Sequence, residues 1–264
     1  VRDEILKALS TSADDVIVEI GAGTGTLTTG LAGRAARVLA VEVDPELVPV
    51  LEQAVRSMAN VSVLCRNILA VDLRRVAAEY NRERLVLVGN LPYHLTTQVV
   101  LYLVKHRSAI SEAVIMLQKE YAQRLLAAPG GRDYGAITLR VAYNALVTKV
   151  ADVPSSAFYP RPKVDSMVVK LAFRESPAVL VADEGFFFGV IRETFNHRRK
   201  MLVNSLSALS GFNKDEVKEI CLSVGIGPDQ RPETLSLEEF ARLADAVRSA
   251  SLARSGGERP VGSA

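Results

Sequence analysis

Two short stretches of this sequence put ligand-holding groups where a strand would end. The first is Asn90-Leu91-Pro92-Tyr93, which directly follows Leu85-Val86-Leu87-Val88-Gly89. A side-chain amide donates and accepts hydrogen bonds, a proline stiffens its backbone, and a phenol ring offers a π-face. Together they suit a flat, hydrogen-bonding group such as a nucleobase. Taken alone, the same residues also make an ordinary exit from strand to turn, where Asn, Gly and Pro are common. The second stretch is Glu19-Ile20-Gly21-Ala22-Gly23-Thr24-Gly25, between an apolar run and a helical pattern that starts near Leu27. Its glycines let the chain turn sharply and let a ligand approach the main chain.

The elements that must position these residues alternate. Apolar runs predict strands over 16–20, 38–43, 61–64 and 113–117, and the Leu/Val run at 85–88 reads as a strand buried on both faces. Helical periodicity fills the gaps, over 2–9, from about 27, over 71–80, 96–105 and 119–126. Asp44-Pro45 reads as an N-cap and a first-turn proline opening a helix to about Met58. Strands and helices at this spacing predict an α/β fold with a doubly wound, mainly parallel sheet, whose strand carboxyl ends bind ligands. A helix is expected over 136–144, then strands over 146–150 and 164–173, a pair able to lie antiparallel on one edge. After Ser176-Pro177 the texture becomes helical throughout, over 186–195, 200–209, 214–224 and 237–247. The expected organisation is a catalytic domain over 1–176, a smaller all-helical domain over 177–250, and a flexible tail over 251–264.

Bulk composition narrows the classes. Among 264 residues, 48% are apolar, enough for a substantial core, so a disordered chain is excluded. Lys and Arg number 32 against 30 Asp and Glu, so the distribution of charge matters more than its total. Cys65 and Cys221 lie far apart without metal-ligand spacing, and we expect two buried thiols in a reducing cytosol and no metal. No apolar run approaches the roughly 18–20 residues that span a bilayer, so a cytoplasmic protein without membrane association is expected. The chain opens at Val1 already inside a helical pattern, as expected if further residues precede it.

The glycine spacing separates two cofactor classes. A dinucleotide fingerprint needs its third glycine three residues after the second, where this chain has Thr26; Gly25 comes one residue earlier. The resulting Glu-x-Gly-x-Gly-x-Gly resembles motif I of class I S-adenosylmethionine-dependent methyltransferases. That resemblance implies a Rossmann-like sheet and S-adenosylmethionine as cofactor, with Glu19, Gly21 and Gly23 at its site. Glu42, closing the second strand, is placed to meet ribose hydroxyls. Asn67-Ile68, after the third strand, occupies the place where such enzymes usually carry an acidic residue that contacts the adenine amino group. Asparagine can accept there through its oxygen, without charge; a simple loop amide is the other reading of Asn67.

With a methyl donor assigned, Asn90-Leu91-Pro92-Tyr93 resembles the motif of enzymes that methylate exocyclic amino groups of bases. An adenine amino nitrogen is a poor nucleophile because its lone pair is delocalised into the ring. Acceptors for its two N–H groups, the Asn90 side-chain oxygen and a main-chain carbonyl near Leu91, favour a more pyramidal nitrogen whose lone pair can attack a methyl group. Pro92 stiffens the turn and Tyr93 can stack on the base. Farther on, Phe158-Tyr159-Pro160-Arg161-Pro162-Lys163-Val164-Asp165-Ser166 holds an aromatic ring on a proline-stiffened loop. Phe158 can cover the other face of an extruded base, or can simply be core; Tyr159 is read as a bystander. His94 and His106 lack carboxylate or Cys partners at ligand spacing and are not read as catalytic.

These motifs, with Met116-Leu117-Gln118-Lys119-Glu120 and Phe195-Asn196-His197-Arg198-Arg199-Lys200-Met201-Leu202, resemble the rRNA adenine dimethyltransferase family of the kasugamycin-sensitivity type. The resemblance covers nearly all of the chain to about Val247. It implies dimethylation of two adjacent adenosines in the 3′-terminal hairpin of small-subunit rRNA within a pre-30S-type particle, by a monomer. It also implies a cofactor held at Gly21, Glu42, Asn67 and Asn90. The family carries a Gln-x-Phe-Leu segment upstream of the point where this sequence begins, and its usual acidic residue is Asn67 here. Arg198, Arg199 and Lys200 form the densest basic cluster and are candidates for phosphate contact, as are Arg161 and Lys163; a solvated helix face is the alternative for the former three. Three rivals differ in what they predict: a large-subunit rRNA methyltransferase of the macrolide-resistance type, a non-catalytic assembly factor on the same fold, and a nicotinamide dehydrogenase. The Asn-Leu-Pro-Tyr form disfavours the first two, and the glycine spacing the third.

Overall fold

The structure is a computed structural model and describes residues 1–197 and 200–257. Seven strands form one sheet: β1 (Val16–Ile20), β2 (Arg37–Glu42), β3 (Val61–Cys65), β4 (Leu85–Asn90), β5 (Ile110–Gln118), β6 (Ala145–Val153) and β7 (Ser166–Phe173). Their order is β3-β2-β1-β4-β5-β7-β6, with the first five parallel. β7 runs antiparallel to both β5 and β6, so the last two strands form the antiparallel edge expected from their short connection. The chain winds outward from β1 through β2 to β3, then returns to start β4 on the other side of β1. That reversal opens a crevice at the carboxyl ends of β1 and β4. Ile20 and Gly89 are register partners there, so both chemical stretches leave the sheet side by side.

Burial explains the strands. Leu85, Val86, Leu87 and Val88 are all buried, as their unbroken apolar run requires of a central parallel strand. One sheet face carries Ile17, Val38, Val86, Val88, Val114, Met116 and Val168, packed with Ile5, Leu6 and Leu31 from the first helices. The helices of this unit are α1 (Arg2–Ala8), α2 (Thr28–Ala32), α3 (Val48–Val55), α4 (Leu73–Glu79), α5 (Thr96–Lys105) and α6 (Lys119–Leu126). α3 starts later than the sequence suggests. Residues 44–47 form a separate turn, closed by Leu47 N–H on the Asp44 carbonyl, and the helix proper has Pro49 in its first turn.

Two compact units emerge: residues 1–126 with 144–176, and residues 127–143 with the chain from Pro177 onward. The second unit holds α7 (Ala136–Asn144) as far as Tyr143, with α8 (Glu184–Asn196), α9 (Leu202–Ser210), α10 (Lys214–Ser223) and α11 (Leu237–Gly257). Residues 127–143, expected with the sheet, belong to this helical unit because Tyr134, Leu139 and Tyr143 join its core of Phe187, Leu206 and Phe240. The Tyr134 hydroxyl donates to the Leu235 carbonyl at 2.9 Å, which fixes the loop. Helix α11 continues through residues expected in the tail, carrying Ser251 Oγ on the Val247 carbonyl; residues 258–264 lie outside the described residues. Cys221 is buried, as expected, but Cys65 is exposed, because it closes the edge strand β3.

Candidate active site

At the end of β1 the polar groups are used to build a loop. Gly21, Gly23 and Gly25 have φ of +72°, +56° and +84°, a left-handed backbone that side-chain-bearing residues rarely adopt. Gly21 and Ala22 N–H donate to the Val41 carbonyl at 2.9 and 3.2 Å, bending the loop across β2. The Glu42 carboxylate fixes it: Oε2 accepts from Gly23 N–H at 2.7 Å, and Oε1 accepts from Val43 and Asp44 N–H at 2.8 and 2.9 Å. A carboxylate offers about four acceptor positions, so Oε2 keeps room for one further donor. Behind the loop, Glu19 is buried and accepts from the Thr28 hydroxyl at 2.6 Å, tying β1 to α2. Burial pushes the Glu19 carboxyl up to about 7; the Thr28 hydrogen bond opposes that rise and the neighbouring Glu42 charge adds to it.

At the end of β4 the arrangement is different. Gly89 packs so closely on β1 that a Cβ there would lie 2.9 Å from the Ile20 carbonyl oxygen. Leu91 is buried and its N–H donates to the Met116 carbonyl at 2.9 Å, extending the strand past its last residue. Asn90 is exposed, and among the described residues nothing bonds its side-chain amide. Residues 93–95 then make a short 3₁₀ turn, whose Tyr93 carbonyl accepts from the Thr96 hydroxyl at 3.2 Å.

A cavity of about 470 Å³ lies between the two strand ends, lined by Gly21, Glu42, Val43 and residues 90–95. Phe158, Pro160 and Pro162 complete its wall. Phe158 is half-buried: it lines the cavity and also packs against the core on that sheet face. Tyr159 is fully exposed.

Gly21, Glu42, Asn90, Leu91, Pro92, Tyr93 and Phe158 are thus brought together. Glu19, Gly23, Asn67 and Ile68 do not line this cavity. Glu19 and Gly23 act through the loop, as described. Asn67 is exposed and caps its own 3₁₀ turn by accepting Leu69 N–H at 3.0 Å, and Ile68 is buried beneath it. Arg161 and Lys163 are exposed on the Phe158 loop, and Lys200 is exposed; Arg198 and Arg199 lie outside the described residues. His106 does meet a carboxylate in space, with Nε2 3.8 Å from Asp72 Oδ1, in a buried place distinct from this cavity.

Val43, His94, Leu95, Pro160 and Pro162 were not singled out as site residues by sequence reasoning. The two prolines carried a signal, since they alternate with Phe158 along one loop. Thr28 carried none, because it meets its partner Glu19, nine residues earlier, only once the strand, loop and helix have formed.

A model of the family described as ribosomal RNA adenine dimethylase matches residues 1–248. The chain belongs to this family. A ribosomal RNA small subunit methyltransferase A of Moorella thermoacetica is 43% identical over 246 residues, covering 91% of this chain and 85% of that protein. The same-named protein of Bacillus mycoides is 40% identical over 252 residues, covering 94% and 86%. Among solved structures, a dimethyladenosine transferase from Plasmodium falciparum superposes with a TM-score of 0.78 at 26% identity, over 92% of this chain and 93% of that one. The 23S rRNA methyltransferase ErmE, at 24% identity and a TM-score of 0.74 over 94% and 96%, shares the class I methyltransferase fold.

Proposed function

We propose that this family member transfers methyl groups from S-adenosylmethionine to the exocyclic amino groups of two adjacent adenosines in the 3′-terminal hairpin of small-subunit rRNA. The products are dimethyladenosines, and the step belongs to small-subunit biogenesis in the cytoplasm. The observation that carries this reading is the Asn90 amide, which lines the cavity and has no partner among the described residues. The names of the curated relatives favour the small subunit over the large one.

The residues present fit the cofactor. Gly21 of the left-handed glycine loop and Glu42, whose carboxylate retains acceptor capacity, both line the cavity. Bound there, S-adenosylmethionine supplies an electrophilic methyl group on a sulfonium. Gly21, Glu42 and Asn90 would hold it, with Asn67 at the β3 end.

This chain's own residues prepare the nucleophile. The Asn90 side-chain oxygen and a main-chain carbonyl beside Leu91 accept the two amino N–H bonds of the base, turning its nitrogen lone pair out of the ring. Phe158 and Tyr93 cover the base faces, and so stabilise a base drawn out of its stack. After transfer the nitrogen carries an extra proton, which is acidic enough to leave to water without a strong base. Arg161 and Lys163, beside the pocket, and Arg198, Arg199 and Lys200, in the helical unit, serve as phosphate contacts. Binding then weakens as salt rises.

The test is radiolabelled methyl transfer to under-methylated small ribosomal subunits, with large subunits in parallel and the modified positions mapped. Label on two adjacent small-subunit adenosines is expected. Binding of small subunits without transfer would support an assembly factor instead, and label on the large subunit would support the macrolide-resistance type.

A further inference from the structure

The two aromatic walls of the pocket come from distant parts of the chain, and one dipeptide holds both. Ser166 is the first residue of β7 and pairs there with Gln118 of β5 and Val153 of β6, so its backbone is fixed on both sides. Its side chain is buried, and its Oγ lies 2.9 Å from the Tyr93 hydroxyl. Tyr93 itself belongs to a short turn with a half-exposed ring.

The preceding residue, Asp165, holds the other wall. Its carbonyl accepts Lys119 N–H at 3.0 Å, anchoring it to the start of α6. Its carboxylate Oδ1 accepts Ser155 N–H at 2.9 Å, and the Ser155 carbonyl accepts Phe158 N–H at 3.3 Å. Arg161 Nε closes the same loop on Ser155 Oγ at 3.1 Å.

We infer that Asp165 and Ser166 are positioning residues that fix Phe158 and Tyr93 relative to each other, so that the pocket holds a single planar base in register with Asn90. Neither residue reaches the cavity lining; each acts through one wall. The inference rests on the proposed base-binding role of the pocket. It assigns Tyr93 Oη a tethering role, with stacking left to the ring.

The test is a double-mutant cycle on methyl transfer at saturating cofactor, using the full chain and under-methylated small subunits. Ser166→Ala and Tyr93→Phe are each expected to lower kcat about fivefold, the size of one hydrogen bond. The double variant should fall no further, and the KM for S-adenosylmethionine should not move. Asp165→Ala should lower kcat similarly, whereas Asp165→Asn should restore it to within about twofold, because an amide oxygen can still accept Ser155 N–H. Losses that multiply in the double variant, or equal losses in Asp165→Ala and Asp165→Asn, overturn the inference. Should Ser166→Ala fail to fold, the Asp165 pair and Tyr93→Phe carry the decision: an unaltered kcat in Tyr93→Phe overturns the tether. Failure of the wild-type chain to methylate would overturn the proposed function itself, a result distinct from any of these.

Discussion

The ends of β1 and β4 lie side by side on one sheet, yet they treat their polar groups in opposite ways. Around the β1 loop both acids are engaged by protein: Glu19 of β1 by the Thr28 hydroxyl, and Glu42, which closes the neighbouring β2, by three main-chain N–H groups. At β4, the Asn90 amide is engaged by nothing among the described residues. The difference teaches how the two halves of such a site divide their work. One end uses its side chains to hold a left-handed glycine loop in a shape a cofactor can meet. The other keeps its amide open for a group that arrives from outside.

Removing the organiser of the first end should have the largest effect. Glu42→Ala leaves three N–H groups without their acceptor, at a cost of about 3 kcal/mol. By calorimetry the affinity for S-adenosylmethionine should fall about 100-fold, while the helical unit's core is untouched. Next, Gly89→Ala forces a methyl group to within 2.9 Å of the Ile20 carbonyl and pries the two ends apart. Urea unfolding should show a loss of about 2–3 kcal/mol.

A pH experiment isolates the buried acid of β1. The Glu19 carboxyl titrates near 7 in the folded protein and near the ordinary 4.5 when unfolded. The folded state therefore binds the extra proton between those values, and its stability declines as pH rises through that window. Glu19→Gln keeps an acceptor for Thr28 and removes the titration. Relative to wild type it should gain on the order of 2 kcal/mol between pH 4.5 and pH 8, read by denaturant unfolding at both. A parallel profile for the two proteins would contradict the burial account. The smallest effect concerns the β3 end. Asn67→Asp retains the cap on Leu69 N–H and adds charge to the acceptor, and should tighten cofactor binding by about fivefold. No change would place Asn67 outside the cofactor site.

Much of this contrast is legible in the amino-acid sequence. Unbroken apolar runs located the central strands, and helix α6 falls where periodicity put it, because both patterns report burial that the sheet imposes. The exit at Asn90 was visible because a glycine, an amide and a proline interrupt that burial together. What stayed hidden depends on tertiary approach. Nothing local shows that Glu42 also binds the glycine loop through Gly23 N–H, or that Gly89 packs against the Ile20 carbonyl. The same holds for residues 127–143: their apolar positions fit either unit, and only the packing of Tyr134, Leu139 and Tyr143 with Phe187 and Phe240 decides. Helix α3 began later than expected because Asp44 turns the chain first, with its Oδ1 on Glu46 N–H.

The open Asn90 amide is the center of the account, and one experiment addresses it directly. Methyl transfer to under-methylated small subunits is measured under single-turnover conditions at saturating S-adenosylmethionine for the wild type and Asn90→Ala, with RNA binding measured alongside. Transfer should fall about 100-fold or more in Asn90→Ala, typical of removing a group that acts on the reacting centre, with RNA affinity nearly unchanged. Transfer persisting near the wild-type rate would contradict it.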